Sequence, residues 1–478
     1  MKNKRVVYVV IALVMLAGLI SVDAEAQNAY IANEPWGTAI VDSLTDGDVG
    51  SHVSIAYYEK GRAYVSYYDA TNSDLKLAHQ VTPGTGNCGE KDDWKCEVID
   101  GTDDKVGMYS SIDVRTGYHK PFFPLTSEVS PNITLQVAYP NIGISYYDET
   151  NKALKYAEYT CDDNSCGWWI ETVEDYTGLF SNAVGFASSF DFGTNGIPII
   201  AYQYREPALI PDHGSGVRRA YYKGDGTGNC GTGNNWWCEL IDYRESTLDY
   251  GSYISQDGGV IAYYDSMNMD LKYAVPTSIQ QNSCIPVGYW DCRVVDDEDD
   301  VGRFVSLVNN GVDPMQLAYY DATNGQIKFA QRVASGGNCG FDSRFACFNV
   351  DSVGKPLVPL GISLTLDAEH QPIIAYMNAS AEFSASTLDI ARPSIVYGGY
   401  IGNCGDKWPS PGMLFSYFTC KTIDNGSQYN DEAYFAGVTV SPAGLATIAY
   451  YEWDSYYEEG RLKVAQQAFS IYLPLILK

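Results

Sequence analysis

The sequence predicts an all-β fold, a seven-bladed β-propeller with four antiparallel strands in each blade, and three observations lead to this prediction. Four short strand-like patterns recur in a fixed order, and each occurs seven times. A copy of the fourth pattern stands first in the chain, ahead of any complete set. The cysteines fall into pairs within six of the seven sets. Seven sets of four strands are typical of a propeller, so one closed ring replaces the roughly three domains that chain length would suggest.

Each of the four patterns is a run of about five to eight residues, rich in Tyr, Val and Ile and bounded by turn-forming residues. The first is an apolar strand containing Ser, such as HVSIAYY from His52, and the second ends in Tyr-Tyr-Asp, such as IAYYD to Asp265. The third is similar to LKYA from Leu271, and the fourth runs from an aromatic residue to an acid, such as WDCRVVD from Trp290. Each pattern predicts one strand of a blade, from the innermost to the outermost.

The position of the unpaired fourth pattern predicts how the ring closes. WGTAIVD from Trp36 precedes the first complete set, whereas the last set, from Phe435 to Gln467, lacks a fourth strand. We therefore expect residues 36–42 to supply the outer strand of blade 7. This arrangement joins the two ends of the chain and leaves no open sheet edge.

The cysteines support the same assignment. Each predicted pair brackets the connection between the third and fourth strands of a blade, and the pairs are Cys88 with Cys96, Cys161 with Cys166, Cys230 with Cys238, Cys284 with Cys292, Cys339 with Cys347 and Cys404 with Cys420. We expect disulfides, because C-x7-C is not a recognised zinc spacing. Blade 7 has no pair, as expected if its third and fourth strands come from opposite ends of the chain.

The N-terminus has the features of a secretory signal. Basic residues such as Lys2 and Arg5 precede an apolar run from Val6 to Ile20, and Ala24-Glu25-Ala26 fits a cleavage site. The run is short for a membrane span, so we expect a secreted or cell-surface protein with no transmembrane segment after cleavage. The predicted division of the chain is a signal peptide at 1–26, a lead-in at 27–35, the propeller at 36–468 and a tail at 469–478.

The charge of the chain excludes one class of partner and suggests another. The net charge is −28 and the isoelectric point is near 4.4, which argues against binding to nucleic acids. In antiparallel blades, the connections from strand 4 to strand 1 and from strand 2 to strand 3 share one face, here called the acidic-loop face, and the disulfides lie on the other. Acids concentrate in the first set of connections. We therefore expect a strongly negative face that attracts cations or basic partners.

Aromatic residues near the start of the innermost strands are the candidate ligand contacts. The candidates are His52, Tyr109, Phe180, Tyr253, Phe304 and Tyr434. If they surround the central channel, they offer stacking surfaces for a sugar or a peptide; the alternative is ordinary packing between blades. An inserted loop at 205–217 on the same face adds Arg205, Asp212 and His213 as candidates.

Two acidic clusters are candidate calcium sites, because calcium binds six to eight oxygen atoms on flexible backbone. The clusters are Asp296, Asp297, Asp299 and Asp300, and Asp42, Asp46 and Asp48. Neither has the spacing of an EF-hand, and the alternative is a set of solvated acidic turns. No other cofactor is indicated.

No catalytic motif supports an enzyme. The chain has no H-E-x-x-H, no G-x-S-x-G and no glycine-rich phosphate loop. Ser255, Asp257 and Gly259 match part of the S-x-D-x-G-x-x-W box of sialidases, but Ala262 stands at the Trp position. An enzyme that cleaves glycosidic bonds with carboxylates near the axis is the alternative to a binding protein.

The repeat unit resembles those of uncharacterised secreted bacterial propeller proteins. The clearest copies are IAYYDSMNMDLKYA at 261–274 and WDCRVVDDEDDVGRFVSL at 290–307. The resemblance covers nearly all of residues 36–468 and implies a propeller and export, with no established activity. We therefore expect a monomeric extracellular binding or scaffold protein, lectin-like in its use of the acidic-loop face, whose ligand is a glycan, a protein or an envelope component.

Overall fold

The computed structural model describes most of the predicted propeller. The described residues are 35–101, 104–117, 139–161, 165–175, 183–206, 214–245, 249–355, 361–379, 386–395, 402–406, 415–425, 432–454 and 456–468. The predicted signal peptide, all of the lead-in except Pro35, and the tail lie outside these residues. Within them, no helix is long and apolar enough to cross a membrane.

Seven four-stranded antiparallel sheets form the blades, which confirms the predicted fold. Blade 1 comprises β2 (Val49–Tyr58), β3 (Arg62–Asp69), β4 (Asp74–Gln80) and β5 (Trp94–Asp100). Blade 2 comprises β6 (Val106–Gly117), β7 (Tyr139–Asp148), β8 (Ala153–Cys161) and β9 (Cys166–Glu174). Blade 3 comprises β10 (Ala183–Phe192), β11 (Pro198–Arg205), β12 (Gly214–Tyr222) and β13 (Trp236–Glu245). Blades 4 and 5 comprise β14 (Ser252–Asp257), β15 (Val260–Asp265), β16 (Asp270–Gln281) and β17 (Gly288–Asp296); and β18 (Val301–Val308), β19 (Gln316–Asp321), β20 (Gln326–Arg332) and β21 (Phe345–Ser352). Blade 6 comprises β22 (Ile362–Leu366), β23 (Pro372–Ala379), β24 (Ser386–Ile395) and β25 (Phe415–Asp424), and blade 7 comprises β26 (Glu432–Val440), β27 (Ala446–Asp454), β28 (Glu459–Gln467) and β1 (Trp36–Ser43).

Blade 7 closes the ring as the sequence predicts. β1 pairs antiparallel with β28, from Trp36 opposite Gln467 to Ser43 opposite Arg461. A backbone hydrogen bond from Ala468 to Pro35 extends this pairing by one residue at each end. Strand pairing therefore holds the two ends of the described chain together.

All six predicted disulfides are present, and each joins the third and fourth strands of one blade or the loop between them. In blades 1 to 6, respectively, Cys88 is bonded to Cys96, Cys161 to Cys166, Cys230 to Cys238, Cys284 to Cys292, Cys339 to Cys347, and Cys404 to Cys420. These bonds confirm the predicted pairing within single blades.

A side-chain amide supports four of these disulfides. An Asn directly before the first Cys bonds through its side chain to both backbone groups of the second Cys. The pairs are Asn87 with Cys96, Asn229 with Cys238, Asn338 with Cys347 and Asn403 with Cys420. The Asn amide thus bonds to the outer edge of the fourth strand, on the side opposite the third strand.

Each junction between neighbouring blades carries a recurring contact. The acid that ends the outer strand of one blade accepts a hydrogen bond from the first Tyr of the Tyr-Tyr-Asp strand, or its variant, in the next blade. In six junctions a Lys or Arg from the third strand of that next blade contacts the same acid. The sets are Asp42 with Tyr67 and Lys76, Asp100 with Tyr146 and Lys155, Glu174 with Tyr202 and Arg218, Asp242 with Tyr263 and Lys272, Asp296 with Tyr319 and Lys328, and Asp424 with Tyr450 and Lys463.

A second motif ties the innermost strands around the axis. A Ser hydroxyl oxygen in one blade accepts a hydrogen bond from a backbone amide of the next, as Ser54 does from Ile112 at 3.2 Å. Ser111, Ser189, Ser255, Ser306 and Ser363 repeat this contact at 2.9 to 3.0 Å. At the seventh position, between blades 7 and 1, Gly437 stands in place of the Ser and faces Ile55. The first-strand Ser of the repeat is therefore structural.

A candidate ligand site on the axis

The innermost strand of several blades begins with an irregular turn that depends on glycine. Gly50 has a φ of 111°, and a Cβ atom there would lie 2.6 Å from the backbone nitrogen of Leu462 in the neighbouring blade. Gly107 and Gly302 have the same conformation and make the same close approach to a Leu. Only glycine combines this φ with so small a space, which explains the Val-Gly that opens these strands.

Two residues after this glycine, the backbone is again left-handed, now at residues with side chains. The positions are His52, Tyr109, Ala187, Tyr253 and Phe304, with φ between 47° and 55°. The strand pairing slips here, as it does between Ser51 and Ser54 in blade 1. In these five blades the β-bulge sets the direction of one side chain at the end of the channel on the acidic-loop face.

The side chains at this position surround an axial cavity of about 200 Å³. Every blade contributes to its wall, which consists of His52, Val53, Tyr109, Ser110, Ala187, Ser188, Tyr253, Ile254, Phe304, Val305, Gly361, Ile362 and Ala436. The structure therefore brings four of the six predicted aromatic residues together around the axis: His52, Tyr109, Tyr253 and Phe304.

The other two predicted aromatic residues are not part of the described wall of the cavity. Phe180 lies outside the described residues, and β10 begins three residues later, at Ala183. The residue of blade 3 with the ring conformation is Ala187. In blade 7, Tyr434 pairs with Tyr451 just as Ser252 pairs with Tyr264, so the position equivalent to Tyr253 is the next residue along the chain. The irregular bulge shifted the alignment of these strands by more than sequence pattern could show.

The four rings form two pairs. The His52 and Tyr109 ring centroids are 4.6 Å apart with the planes at 58°, and those of Tyr253 and Phe304 are 4.4 Å apart at 53°. Each pair is therefore a corner rather than a stack. The small Ala187 lies between the two corners on the side of blade 3, and Gly361 with Ile362 forms the wall in blade 6.

The described wall of the cavity contains no Asp, Glu, Lys or Arg. Its two serines are already bonded within the scaffold, since Ser110 donates to the carbonyl of His52 at 2.8 Å and Ser188 donates to that of Tyr109 at 2.9 Å. Burial lowers the pKa of His52 to about 4, so this ring is neutral near pH 7. The wall is thus aromatic and apolar, without a charge of its own.

Arg205, predicted as a ligand contact, lies beside the cavity. Its guanidinium sits 4.5 Å from the centroid of the Phe186 ring, which in turn packs against Tyr109. It donates to Gln203 at 2.9 Å and to Asp249 at 3.2 Å. Asp212 and His213, from the same predicted loop, lie outside the described residues.

The predicted calcium ligands have other partners. Asp42 and Asp296 are junction acids, and each accepts bonds from a Tyr and a Lys of the next blade at 2.6 to 2.7 Å. Asp48 accepts from Tyr451 at 2.9 Å. Among the described residues, no three His, Cys, Asp or Glu side chains are arranged to hold a metal ion.

Most of the remaining acids of these clusters also have partners within the protein. Asp299 accepts from Asn324 at 2.9 Å, and Asp300 forms a forked contact with the guanidinium of Arg303 at 2.6 and 3.2 Å. The backbone amide of Asp46 donates to Glu459, and Asp297 is exposed. Asp299 and Asp300, although adjacent in sequence, therefore bond to different partners.

Comparison with known proteins gives similar folds at low identity. No protein-family model and no curated protein matches the chain. A fucose-specific lectin from Aleuria aurantia is 11% identical with a TM-score of 0.37, over 78% of this chain and 100% of that one. A protein of unknown function from Dyadobacter fermentans is 10% identical with a TM-score of 0.39, over 91% and 99%. The NanB sialidase from Streptococcus pneumoniae is 9% identical with a TM-score of 0.36, over 90% and 70%. These values assign neither a family nor a ligand to the chain.

Proposed function

We propose that this protein is an extracellular binding protein whose ligand enters the axial cavity from the acidic-loop face. The observation that carries the proposal is the ring of half-buried aromatic side chains, contributed by four blades to one cavity. Rigid elements hold these side chains, as a preformed ligand site requires. Six disulfides and the predicted signal peptide support an extracellular location.

The backbone conformation of these residues supports a role beyond packing. A left-handed residue with a side chain is less stable than glycine by about 1 kcal/mol. In blade 6, Gly361 lies in the wall two residues before the structural Ser363, as His52 lies before Ser54, so the scaffold accepts glycine there. The rings in blades 1, 2, 4 and 5 carry this cost and remain partly exposed to the cavity. Contact with a ligand would explain why these rings are kept despite the cost, whereas packing alone would not, because the rings are not fully buried.

The alternative of a glycoside-cleaving enzyme has no comparable support. Such enzymes place two carboxyl groups roughly 5–10 Å apart around the bond that breaks. The described wall of the cavity contains neither Asp nor Glu. Binding without catalysis is therefore the function that this geometry supports best.

A variant that fills the cavity tests the proposal. Tyr is already accommodated with this backbone conformation at Tyr109 and Tyr253, so Ala187→Tyr should fold and narrow the cavity. We expect a glycan array to show a ligand bound by the wild-type protein and not by Ala187→Tyr, with equal melting temperatures for both. A ligand that binds both proteins equally would place the binding surface elsewhere. An array without any ligand would remove glycans from the proposal.

A further inference from the structure

The polar groups of the cavity wall narrow the class of ligand. With Ser110 and Ser188 engaged in the scaffold, the other polar side-chain groups of the described wall are those of the His and Tyr rings. A polyhydroxylated ring buried here would find few partners for its hydroxyl groups, and each unpaired group costs binding free energy. The wall instead offers four π-faces and aliphatic surface. Such a wall favours a ligand group that is apolar on its outside.

The ion pairs around the cavity permit a cationic ligand. The chain carries a net charge of −28. Two arginines beside the aromatic corners are both paired, Arg205 with Asp249 at 3.2 Å and Arg303 with Asp300 at 2.6 Å. Glu149, beside Tyr147 and Tyr109, is paired with Lys105 at 3.4 Å. Each of these three bases therefore has an acidic partner, so together they add no net positive charge that would repel a cationic ligand.

The neutral state of His52 and the size of the cavity are both compatible with a compact cationic group. Because His52 is uncharged near pH 7, the ring adds a π-face without repelling a cation. A volume of about 200 Å³ lies below the usual range for whole small-molecule ligands and suits a single compact group.

We propose that the axial cavity is an aromatic cage for an alkylated ammonium group, such as trimethylammonium, carried at the end of a larger extracellular ligand. This inference rests on the proposed function and names the chemistry of the group that enters the cavity. A quaternary ammonium ion needs no hydrogen bonds, exposes methyl groups to the apolar wall, and is attracted to the negative faces of aromatic rings. The two corners, His52 with Tyr109 and Tyr253 with Phe304, meet it from two sides of the axis.

A matched pair of small molecules separates charge from shape. Choline and 3,3-dimethylbutan-1-ol share a size and a hydroxyl group, and differ in having a central nitrogen cation or a carbon. In calorimetric titrations of the wild-type protein, we expect choline to bind at least about tenfold more tightly than the neutral alcohol. Equal affinities would overturn the cage, because an apolar cavity alone would then explain the binding.

Variants of the wall supply the second readout. Phe304→Leu and Tyr253→Leu keep apolar volume and remove a π-face, so each should weaken choline at least about fivefold and leave the alcohol unchanged. Tyr289→Leu is the control, since Tyr289 is an exposed aromatic residue that is not part of the described wall. If one variant fails to fold in a thermal melt, the other carries the test. Choline binding that none of the wall variants changes would overturn the proposal.

The outcomes distinguish the cage from the proposed function. If choline does not bind but a glycan distinguishes the wild-type protein from Ala187→Tyr, the cage is wrong and the axial binding site stands. If choline binds and Ala187→Tyr abolishes the binding, both are supported. If neither choline nor any arrayed glycan binds, the cage is wrong and glycans are removed from the proposed function.

Discussion

Carboxyl groups on the innermost strands of three blades form hydrogen bonds to the neighbouring blade. In blades 2, 3 and 4 an Asp lies two residues after the structural Ser, and its carboxylate accepts a backbone hydrogen bond from the next blade. These are Asp113, Asp191 and Asp257, which bond to Phe192, Gly258 and Asn309 at 2.6 to 3.2 Å. Each carboxylate thus extends the ties made by the serines. The negative charges of Asp113 and Asp257 repel that of Asp191, which lies between them in the ring.

Asp191 should make the stability of the protein depend on pH. Burial, followed by the charges of Asp257 and Asp113, raises its pKa to about 7. A carboxyl group whose pKa is raised on folding favours the folded state at low pH, and this contribution is lost as pH rises from about 4 to about 7. We expect Asp191→Asn to raise the melting temperature at pH 8 and to have a much smaller effect at pH 5. Asp342→Asn, at an exposed turn, is the control and should change the melting temperature at neither pH.

A stabilisation by Asp191→Asn that is the same at both pH values would mean that the repulsion is not the cause. In that case the amide itself, rather than the lost charge, would account for the gain. Differential scanning calorimetry at the two pH values provides the comparison.

Among the elements, blade 6 departs from the other six. Its third strand carries Asp389 where the others carry Lys or Arg, and Asn378 replaces the acid that ends the second strand of most blades. Asn378 donates to Asp389 at 2.9 Å, while Asp351 of blade 5 accepts from Tyr376 at 2.6 Å. Burial raises the pKa of Asp351, and the charge of Asp389 adds to the effect. The junction between blades 5 and 6 thus holds two acids and no base among the equivalent positions.

Restoring the repeat should strengthen this junction. Asp389→Lys places an ammonium group where Lys328 and Lys463 contact their acids, so we expect the free energy of unfolding at pH 7 to rise by about 1–2 kcal/mol. The reverse change, Lys328→Asp, removes the base that contacts Asp296 and should lower the free energy of unfolding by about 3–5 kcal/mol. Urea unfolding at constant m-value measures both. A loss of stability in Asp389→Lys would show that blade 6 is adapted to its two acids.

In the closed ring as a whole, blade 7 lacks two features that recur in the other blades, the disulfide and the Ser of the innermost strand. Blade 7 has no disulfide, since all 12 cysteines pair within blades 1 to 6, and Gly437 interrupts the ring of Ser contacts. A Cβ atom on Gly437 would lie 3.4 Å from the backbone nitrogen of Ile55 and 3.1 Å from its side chain. A small side chain here would reach the amide equivalent to those the serines contact, once the Ile55 side chain shifts by a few tenths of an ångström.

Gly437→Ser should complete the ring of hydrogen bonds. We expect a gain of about 1 kcal/mol in the free energy of unfolding, since a hydrogen bond is added and the unfolded chain loses the freedom of glycine. Gly437→Ala isolates the second effect, so the difference between the two variants measures the hydrogen bond. If Ala stabilises as much as Ser, the hydroxyl group makes no seventh tie.

The assembled ring also shows where the acids that give the chain its net charge are located. Many acids that the sequence places on the acidic-loop face are the junction acids, such as Asp100 and Asp242, which are buried against Tyr and Lys. Others, such as Asp69 and Asp148, cap the turn that follows by accepting from an Asn three residues later. The repeated acids are therefore mainly structural, and the exposed turns carry the remainder of the charge.

Local pattern was enough to predict the number of blades, the four strands of each, the disulfide pairs and the strand that closes the ring. These features follow from periodicity and from the spacing of repeats, because each blade is a short unit with its own turns, and blades 1 to 6 each have their own cysteines. Four of the predicted aromatic residues also reached the axis, since His52, Tyr109, Tyr253 and Phe304 follow a Gly that marks the start of the strand.

Which side chains meet could be learned only from the folded ring. In blades 1 to 5 the bulge on the innermost strand selects one residue for the cavity, such as Ala187 in blade 3, and a shift of pairing leaves no mark in composition. Two of the predicted calcium ligands, Asp42 and Asp48, bond to partners in different blades, Asp42 to Tyr67 in blade 1 and Asp48 to Tyr451 in blade 7. Contacts between blades join residues as far apart in sequence as Tyr67 and Asp42, or Leu364 and Ser306, which are 25 and 58 positions apart. They depend on how the closed ring aligns its blades rather than on any pattern within one of them.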